Sequence, residues 1–479
     1  MSKRDYITTA IPYVNARPHI GFALELVQAD AIARYRRLLG SEVRFQTGTD
    51  ENAFKNVETA REKGLEPREF VDRNSQTFQE LCQALVLSHD VFVRTTEPYH
   101  ARAVHAFWRR LRAQDVYAKD YAGLYCAGCE DFYLEKDLVR GLCPDHGTAP
   151  VMVRERNYFF RLSAYQAQVE SLLANNTIHV VPAKRKNEVL QFVRGGLQDF
   201  SISRAVERSG GWGIPVPADP SQVVYVWVDA LINYLSGLAF GSDAFLEAFW
   251  RSDCPKVHVI GKNVWKFHAV YWPALLLSAG LPLPNEIVVH GFLTAEGQKI
   301  SKSRGNTVDP LAAVAEFGAS AVRYYLLRAV SPFEDSDFSS ARLKELYNAD
   351  LANGLGNLVS RIAALCARCR FHWEDTGEAP EAPERFHAAM QGYEFNTALH
   401  ALWTVVTRLN VEITEAEPWK TLRCGEETSL RARLNRWVGE LHRLAYWLEP
   451  FLPGASARIR GILFERPIIR CEPLFPRIR

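Results

Sequence analysis

The sequence predicts an α/β protein: a parallel sheet interrupted by an inserted segment and followed by an α-helical region. Three observations carry this. Near the N-terminus a strand, a helix and a second strand succeed one another. From about Tyr117 to Gln222 the pattern breaks into short strands, turns and a cysteine-rich patch. After about Ser340 strand signals fade and helical spacing takes over.

Asp5–Ile11 (DYITTAI) is β-rich and apolar and reads as a buried strand. A turn with Pro12, Asn15 and Pro18 follows. From His19, apolar residues recur three and four apart (Leu24, Val27, Ala31, Tyr35, Leu38), and Gly40 stands where a helix ends in a left-handed residue. Val43–Thr47 (VRFQT) reads as the second strand. Strand–helix–strand with a right-handed crossover makes a parallel sheet, and such sheets bind ligands beyond the carboxyl ends of their strands. After the inserted segment, Val223–Leu235, Lys256–Lys262 and Asn285–Leu293 return to strand and helix signals. Leu343–Cys369, Phe395–Glu415 and Leu430–Leu448 carry the spacing of an α bundle, with a loop holding Gly377, Pro380 and Pro383 between the first two.

Composition narrows the class. The chain has 479 residues, 47% hydrophobic and 23% charged, which is ordinary for a globular protein of several domains. No apolar run reaches the roughly 18–20 residues of a membrane span. MSKRDYITTAIPYV has no long apolar core before a small-residue cleavage site, so a cytoplasmic location is expected. The net charge of +2 does not advertise nucleic acid, so any such role must rest on local residues. Nine cysteines at irregular spacing argue against a disulfide framework.

Three short stretches carry chemistry. In RPHIGFALE, His19 and Gly21 sit at the tip of the first strand-to-helix turn. A helix N-terminus offers unpaired N–H groups and a positive dipole end, Gly21 permits close approach, and His19 can donate to a phosphate. Alone, the same turn also suits a surface histidine. In GQKISKSRGN, Lys299 and Lys302 flank serines in a polar loop after a strand and can neutralise charge on a leaving pyrophosphate. A solvated basic loop has the same composition, but the two stretches together in one α/β chain are a much rarer coincidence. In YCAGCEDFYLEKDLVRGLCPDHG, Cys126, Cys129, Cys143 and His146 have the C-x2-C, thirteen residues, C-x2-H spacing of two zinc knuckles. No coordination position is left open, so the site is expected to be structural. The remaining cysteines read as core or surface residues; Cys366 and Cys369 are about one helical turn apart and need no metal.

HIGF and KISKS resemble the two ATP motifs of the class I aminoacyl-tRNA synthetases. TTAIPYVNARPHIGFALE, TGTDEN, LYCAGC, SISR, WGIPVP, YVWVDALINY, VIGKNVWKFH, KISKSRGNTVDP, RYYLLR, ADLANGLGNLVSR and EPWK narrow the resemblance to the methionyl branch. The resemblance implies a Rossmann-type catalytic domain split by a zinc-bearing insertion, followed by an α-helical anticodon-binding bundle. The boundaries are 1–115 and 223–340 for the two catalytic parts, 116–222 for the insertion and 341–479 for the bundle. It implies methionine activation by ATP with Mg2+, then transfer to tRNA(Met). Such chemistry is mostly positioning and charge stabilisation and needs no protein nucleophile. His19, Gly21, Lys299, Ser301, Lys302 and Ser303 match the ATP and catalytic positions. Ala10, Ile11, Tyr13, Trp227, Ala230, Leu231, Tyr234, Val264 and His268 match the methionine pocket, and Asp50 the acid that binds the substrate ammonium. Asn357, Arg361 and Trp419 match anticodon contacts. Without the resemblance, the aromatic residues read as core packing and the last three as a cap, an ion pair and a core Trp.

Three positions depart from the family. Phe22 replaces the usual second His of the first motif, and Asn52 and Ala53 replace His and Gly after TDE. The departures keep two rivals in view: a biosynthetic adenylate-forming ligase, and a tRNA-binding protein without charging activity. The chain ends at LFPRIR without the appended tRNA-binding domain of some relatives, so a monomer is expected.

Overall fold

The computed structural model describes residues 3–478 except 127–130, 134, 145–146, 241–245, 252, 296–297, 300–307, 375–378 and 424–426. The chain divides into two compact units. One comprises residues 1–18, 40–80 and 89–290; the other comprises 19–39, 81–88 and 291–479.

The first unit is built on a six-stranded sheet. Its order in space is Val91–Arg94, Glu42–Thr49, Arg4–Thr9, Lys256–Gly261, Glu286–His290, His179–Val181, and every pair is parallel. All six residues of Lys256–Gly261 are buried, as expected of a strand covered on both faces. The core around it is rich in rings. Phe107 stacks on Trp272 at 5.7 Å, and Tyr6 meets Trp250 edge-on at 6.1 Å. His179–Val181 lies inside the stretch expected as the insertion, yet it forms the edge of the main sheet. Three residues are too few to show a period of two. The rest of that stretch includes a four-stranded antiparallel sheet of Asp131–Tyr133, Val116–Cys126, Val151–Phe160 and Phe200–Ser201, together with helices Gln166–Ala174 and Ala183–Arg194.

The second unit is mainly helical. Helix Ile20–Leu38 ends as its sequence suggests, with Gly40 just beyond at φ +83°. A buried ion pair anchors this helix. Asp30 accepts from Arg323 at 2.7 Å and from Arg34 at 2.8 Å, and from the Ser88 hydroxyl at 2.6 Å. Burial alone would raise the Asp30 pKa; the two guanidinium groups and Ser88 outweigh it and hold the carboxyl below its usual range. Arg323 also donates to the carbonyls of Phe451, Pro450 and Leu85 at 2.7, 2.9 and 3.1 Å. Helices Asn357–Arg368, Phe395–Glu415 and Glu427–Leu448 form the expected bundle region, and Cys366 and Cys369 are both buried.

Candidate functional site

In the first unit the expected pocket residues follow the carboxyl ends of three adjacent strands. Ala10 and Ile11 continue Arg4–Thr9, and the Ala10 N–H donates to the Val259 carbonyl at 3.1 Å. Asp50 ends Glu42–Thr49. It forms a parallel bridge with Tyr13, and its N–H donates to the Pro12 carbonyl at 2.8 Å. Val264 and His268 follow Lys256–Gly261. Parallel pairing thus delivers residues far apart in sequence to one end of the sheet.

The helix Val226–Leu231 supplies the aromatic wall. Trp227 stacks face to face on Phe267, with ring centres 3.9 Å apart and planes 3° apart, and lies 6.0 Å from Tyr13. Ala230 and Leu231 follow on the same helix and are buried. Tyr234 Oη lies 2.7 Å from His268 Nε2, and His268 Nδ1 lies 3.0 Å from the Val264 carbonyl. A carbonyl only accepts, so Nδ1 carries the proton, and Nε2 accepts from the Tyr234 hydroxyl. Burial pushes the His268 pKa down from 6.5 to about 4, against a smaller upward pull from the Val264 carbonyl, and the ring is neutral near pH 7. His258 behaves alike: burial pushes its pKa well below the usual range. Its Nδ1 lies 2.6 Å from Thr8 Oγ1, and its ring stacks on Tyr234 at 4.1 Å.

A polar cluster that sequence reasoning missed lies beside these residues. Asp229 is fully buried. Its Oδ1 lies 2.6 Å from His100 Nε2, and its Oδ2 accepts from Asn52 Nδ2 at 2.7 Å. His100 Nδ1 lies 2.7 Å from Ser236 Oγ. The available signal was an acid inside the apolar run VVYVWVDALINYL, which must find a partner if buried. Glu51 forms a second cluster: it accepts from Arg94 Nε at 2.7 Å and from Thr49 Oγ1 at 2.8 Å.

In the second unit His19 is the N-cap of helix Ile20–Leu38. Its Nδ1 accepts from the Gly21 N–H at 3.1 Å. The neutral ring therefore carries its proton on Nε2, leaving that atom a donor. The Ile20 N–H donates to the Val308 carbonyl at 3.1 Å, and those of Phe22 and Ala23 to the His19 carbonyl at 2.9 and 3.3 Å. The helix start does not offer the open backbone N–H groups expected from the sequence, because His19 and Val308 use them. The role expected of Gly21 changes too. A Cβ there would lie 3.0 Å from two His19 ring atoms, so its smallness makes room for the ring. Val308 is the first described residue after the ones that carry the lysine motif. Lys299 pairs with Thr294 in a short antiparallel ladder. Ser301, Lys302 and Ser303 lie outside the described residues, as do Cys129 and His146.

The other two expected zinc ligands are buried. Cys126 ends the strand Val116–Cys126, and the Cys143 carbonyl accepts from the Gly147 N–H at 2.8 Å. Gly147 has φ +65°, the left-handed turn a knuckle needs. Two buried thiols, one at a strand end and one opening a tight turn, fit a zinc site. Asn357 and Arg361 face the same neighbouring helix. Asn357 Nδ2 lies 3.5 Å from Asn410 Oδ1, and Arg361 donates to the Asn410 carbonyl at 3.3 Å and to Thr414 Oγ1 at 3.1 Å. Trp419, on Pro418–Arg423, is 38% exposed.

The model of the family "tRNA synthetases class I (M)" matches residues 5–149 and 146–363. The methionine–tRNA ligase of Thermosynechococcus vestitus is 42% identical, over 97% of this chain and 90% of its own. That of Brucella suis is 40% identical, over 96% and 91%. A solved structure of Mycobacterium tuberculosis methionyl-tRNA synthetase in complex with methionyl-adenylate superposes with a TM-score of 0.90 at 36% identity, covering 99% of this chain and 100% of that one.

Proposed function

The chain belongs to the class I tRNA synthetases of the methionyl branch, and from that premise we infer how its residues divide the work. It is a methionine–tRNA ligase. The rival biosynthetic and non-catalytic readings are not favoured, because methionine–tRNA ligases are 37–42% identical over 96–99% of this chain.

In the first step a methionine carboxylate oxygen bonds to the α-phosphorus of ATP, which enters with Mg2+. The bond to the bridging oxygen breaks and pyrophosphate leaves. In the second step the terminal ribose hydroxyl of tRNA(Met) replaces AMP on the methionyl carbonyl. Asp50 pairs with the substrate ammonium. Ala10, Ile11, Tyr13, Trp227, Ala230, Leu231, Tyr234, Val264 and His268 enclose the side chain. A hydrophobic pocket discriminates by only about 1–3 kcal/mol per methylene, so aromatic contact with the polarizable thioether adds selectivity. A neutral His268, locked by Tyr234 and Val264, keeps an uncompensated charge out of that pocket. The Nε2–H of His19 donates to phosphate, and Gly21 lets the ring sit where it does. Lys299 and Lys302, with Ser301 and Ser303, balance charge on the departing pyrophosphate.

Zn2+ on Cys126, Cys129, Cys143 and His146 would fix the fold of the insertion and supply no chemistry to the reaction. Residues 1–115 and 223–340, with the edge strand His179–Val181, act as the catalytic parts, the rest of 116–222 as the insertion and 341–479 as the anticodon-binding bundle. Asn357, Arg361 and Trp419 read the anticodon, by edge hydrogen bonds and stacking. No described helix is long and apolar enough to cross a membrane. We place the enzyme in the cytoplasm, where its tRNA is, and as a monomer, which sedimentation would check.

The observation that carries the reading is the convergence of Asp50, Tyr13 and Trp227 at the strand ends, in a chain 42% identical to a methionine–tRNA ligase. Pyrophosphate exchange against the twenty amino acids, followed by charging of tRNA(Met), tests it. Methionine-dependent exchange with charging is expected. Exchange without charging, or none, would overturn it.

A further inference from the structure

Asn52 stands where the family carries His, and its surroundings give it a task. Its backbone N–H donates to Asp50 Oδ1 at 3.3 Å. Its side-chain Nδ2 donates to the Thr95 carbonyl at 3.0 Å and to Asp229 Oδ2 at 2.7 Å. The orientation of the amide is fixed by its partners, since a carbonyl and a carboxylate both only accept. One residue therefore touches the acid assigned to the substrate ammonium and the helix assigned to its side chain.

Helix Val226–Leu231 has little to hold it on its own. It is six residues long, and its N-cap, Tyr225, makes no side-chain capping bond. So short a helix has negligible stability by itself and depends on tertiary anchors. Asp229 is such an anchor. It is 0% exposed, and its two oxygens are held from two sides, by His100 on one and Asn52 on the other. Trp227 lies two residues earlier, so it points away from Asp229, while Ala230 and Leu231 follow directly. Taking Asn52 away leaves a buried carboxylate oxygen with one donor fewer, and the helix turns or shifts to recover one.

We propose that Asn52 is a positioning residue for methionine: through Asp229 and Asp50 it sets the spacing between the ammonium site and the Trp227–Ala230–Leu231 wall. The proposal rests on the methionine-ligase reading. It touches methionine affinity and leaves ATP affinity alone, because among the described residues none assigned to ATP is bonded to Asn52.

The test compares full-length wild type with Asn52→Ala, Asn52→Asp and Asn52→His. Methionine and ATP KM values come from pyrophosphate exchange, methionine affinity from calorimetry, and unfolding temperatures from a thermal scan. Asn52→Ala is expected to raise the methionine KM and dissociation constant about tenfold, the weight of a hydrogen bond to a buried charge, with the ATP KM within about twofold of wild type. Asn52→Asp sets a second carboxylate against Asp229 and should be worse than Asn52→Ala at neutral pH. Asn52→His restores a donor and should return methionine affinity to within about threefold of wild type. Parallel rises in both KM values, unchanged methionine affinity in Asn52→Ala, or no rescue by His would overturn the proposal. Calorimetry keeps the comparison readable without turnover: a wild type that binds methionine but shows no exchange refutes the ligase reading, not this one.

Discussion

His268 offers the most direct test of the pocket's electrostatics. Its imidazole is buried, donates from Nδ1 to the Val264 carbonyl and accepts at Nε2 from Tyr234. Protonation would force Nε2 to give up an acceptor role and would place a cation beside His258, whose ring centre is 6.3 Å away. Burial pushes the pKa to about 4. At pH 6 a free imidazole, titrating near 6.5, is about three-quarters protonated, whereas His268 would be about 1% protonated. The sign of the linked stability follows. Above pH 6.5 both folded and unfolded rings are neutral and nothing is lost. As pH falls from 6.5 towards 4, the unfolded chain takes up a proton that the folded ring refuses. Stability drains away over that window, by about 3 kcal/mol in all, and levels off below it. Nitrogen-15 NMR of histidine-labelled protein reads the ring directly, with the signal assigned by its loss in His268→Asn. A neutral Nδ1–H tautomer persisting below pH 5 is expected. A ring titrating near 6.5, or a proton on Nε2, would refute the assignment and with it the neutral wall of the pocket.

Three further outcomes are expected. Lys302→Ala should slow pyrophosphate exchange by about 10²-fold or more, as loss of one transition-state donor does; a near-normal rate would remove the lysine from the charge-balancing role. Trp419→Ala should weaken charging of tRNA(Met) by about 1–3 kcal/mol, the worth of one stacked base, and spare exchange; an equal fall in both would contradict the separation of anticodon reading from activation. Arg323→Ala should cost about 3–5 kcal/mol in denaturant unfolding, because it takes from the buried Asp30 carboxylate one of its two guanidinium partners and leaves three carbonyls without that donor; a loss below about 1 kcal/mol would show that Asp30 is not held as described.

What the sequence made legible was whatever it writes locally. The first helix is recognisable from its apolar spacing and from Gly40, whose φ of +83° is the conformation a terminal glycine serves. The long helix Phe395–Glu415 matches its periodic stretch. Contacts between distant segments were not legible. His179–Val181 joins the main sheet by pairing with Glu286–Val288, and nothing in three residues announces a partner more than a hundred positions away. The Asn52–Asp229–His100 cluster unites three separate segments, and each residue alone looks ordinary. The His19 turn failed in a different way. General reasoning about helix starts points to free N–H groups, but a capping side chain is the usual means of using them up, and here the capping residue is the histidine itself.

That capping arrangement also accounts for Phe22. A second histidine in the motif would be a second polar contact, and its loss would matter most if position 22 faced the nucleotide. Phe22 is only 9% exposed, and its N–H is spent on the His19 carbonyl. Its ring is therefore a packing element of the second unit. Ala53 follows the same logic: it is fully buried in the apolar core at the start of helix Phe54–Glu62, where a methyl group adds contact without asking for a partner. Asn52 keeps a donor where the family keeps one. The three departures thus exchange a polar ring for packing, a hydrogen for a methyl, and one donor for another. The chain nonetheless keeps 42% identity to a methionine–tRNA ligase over 97% of its length with all three exchanges in place.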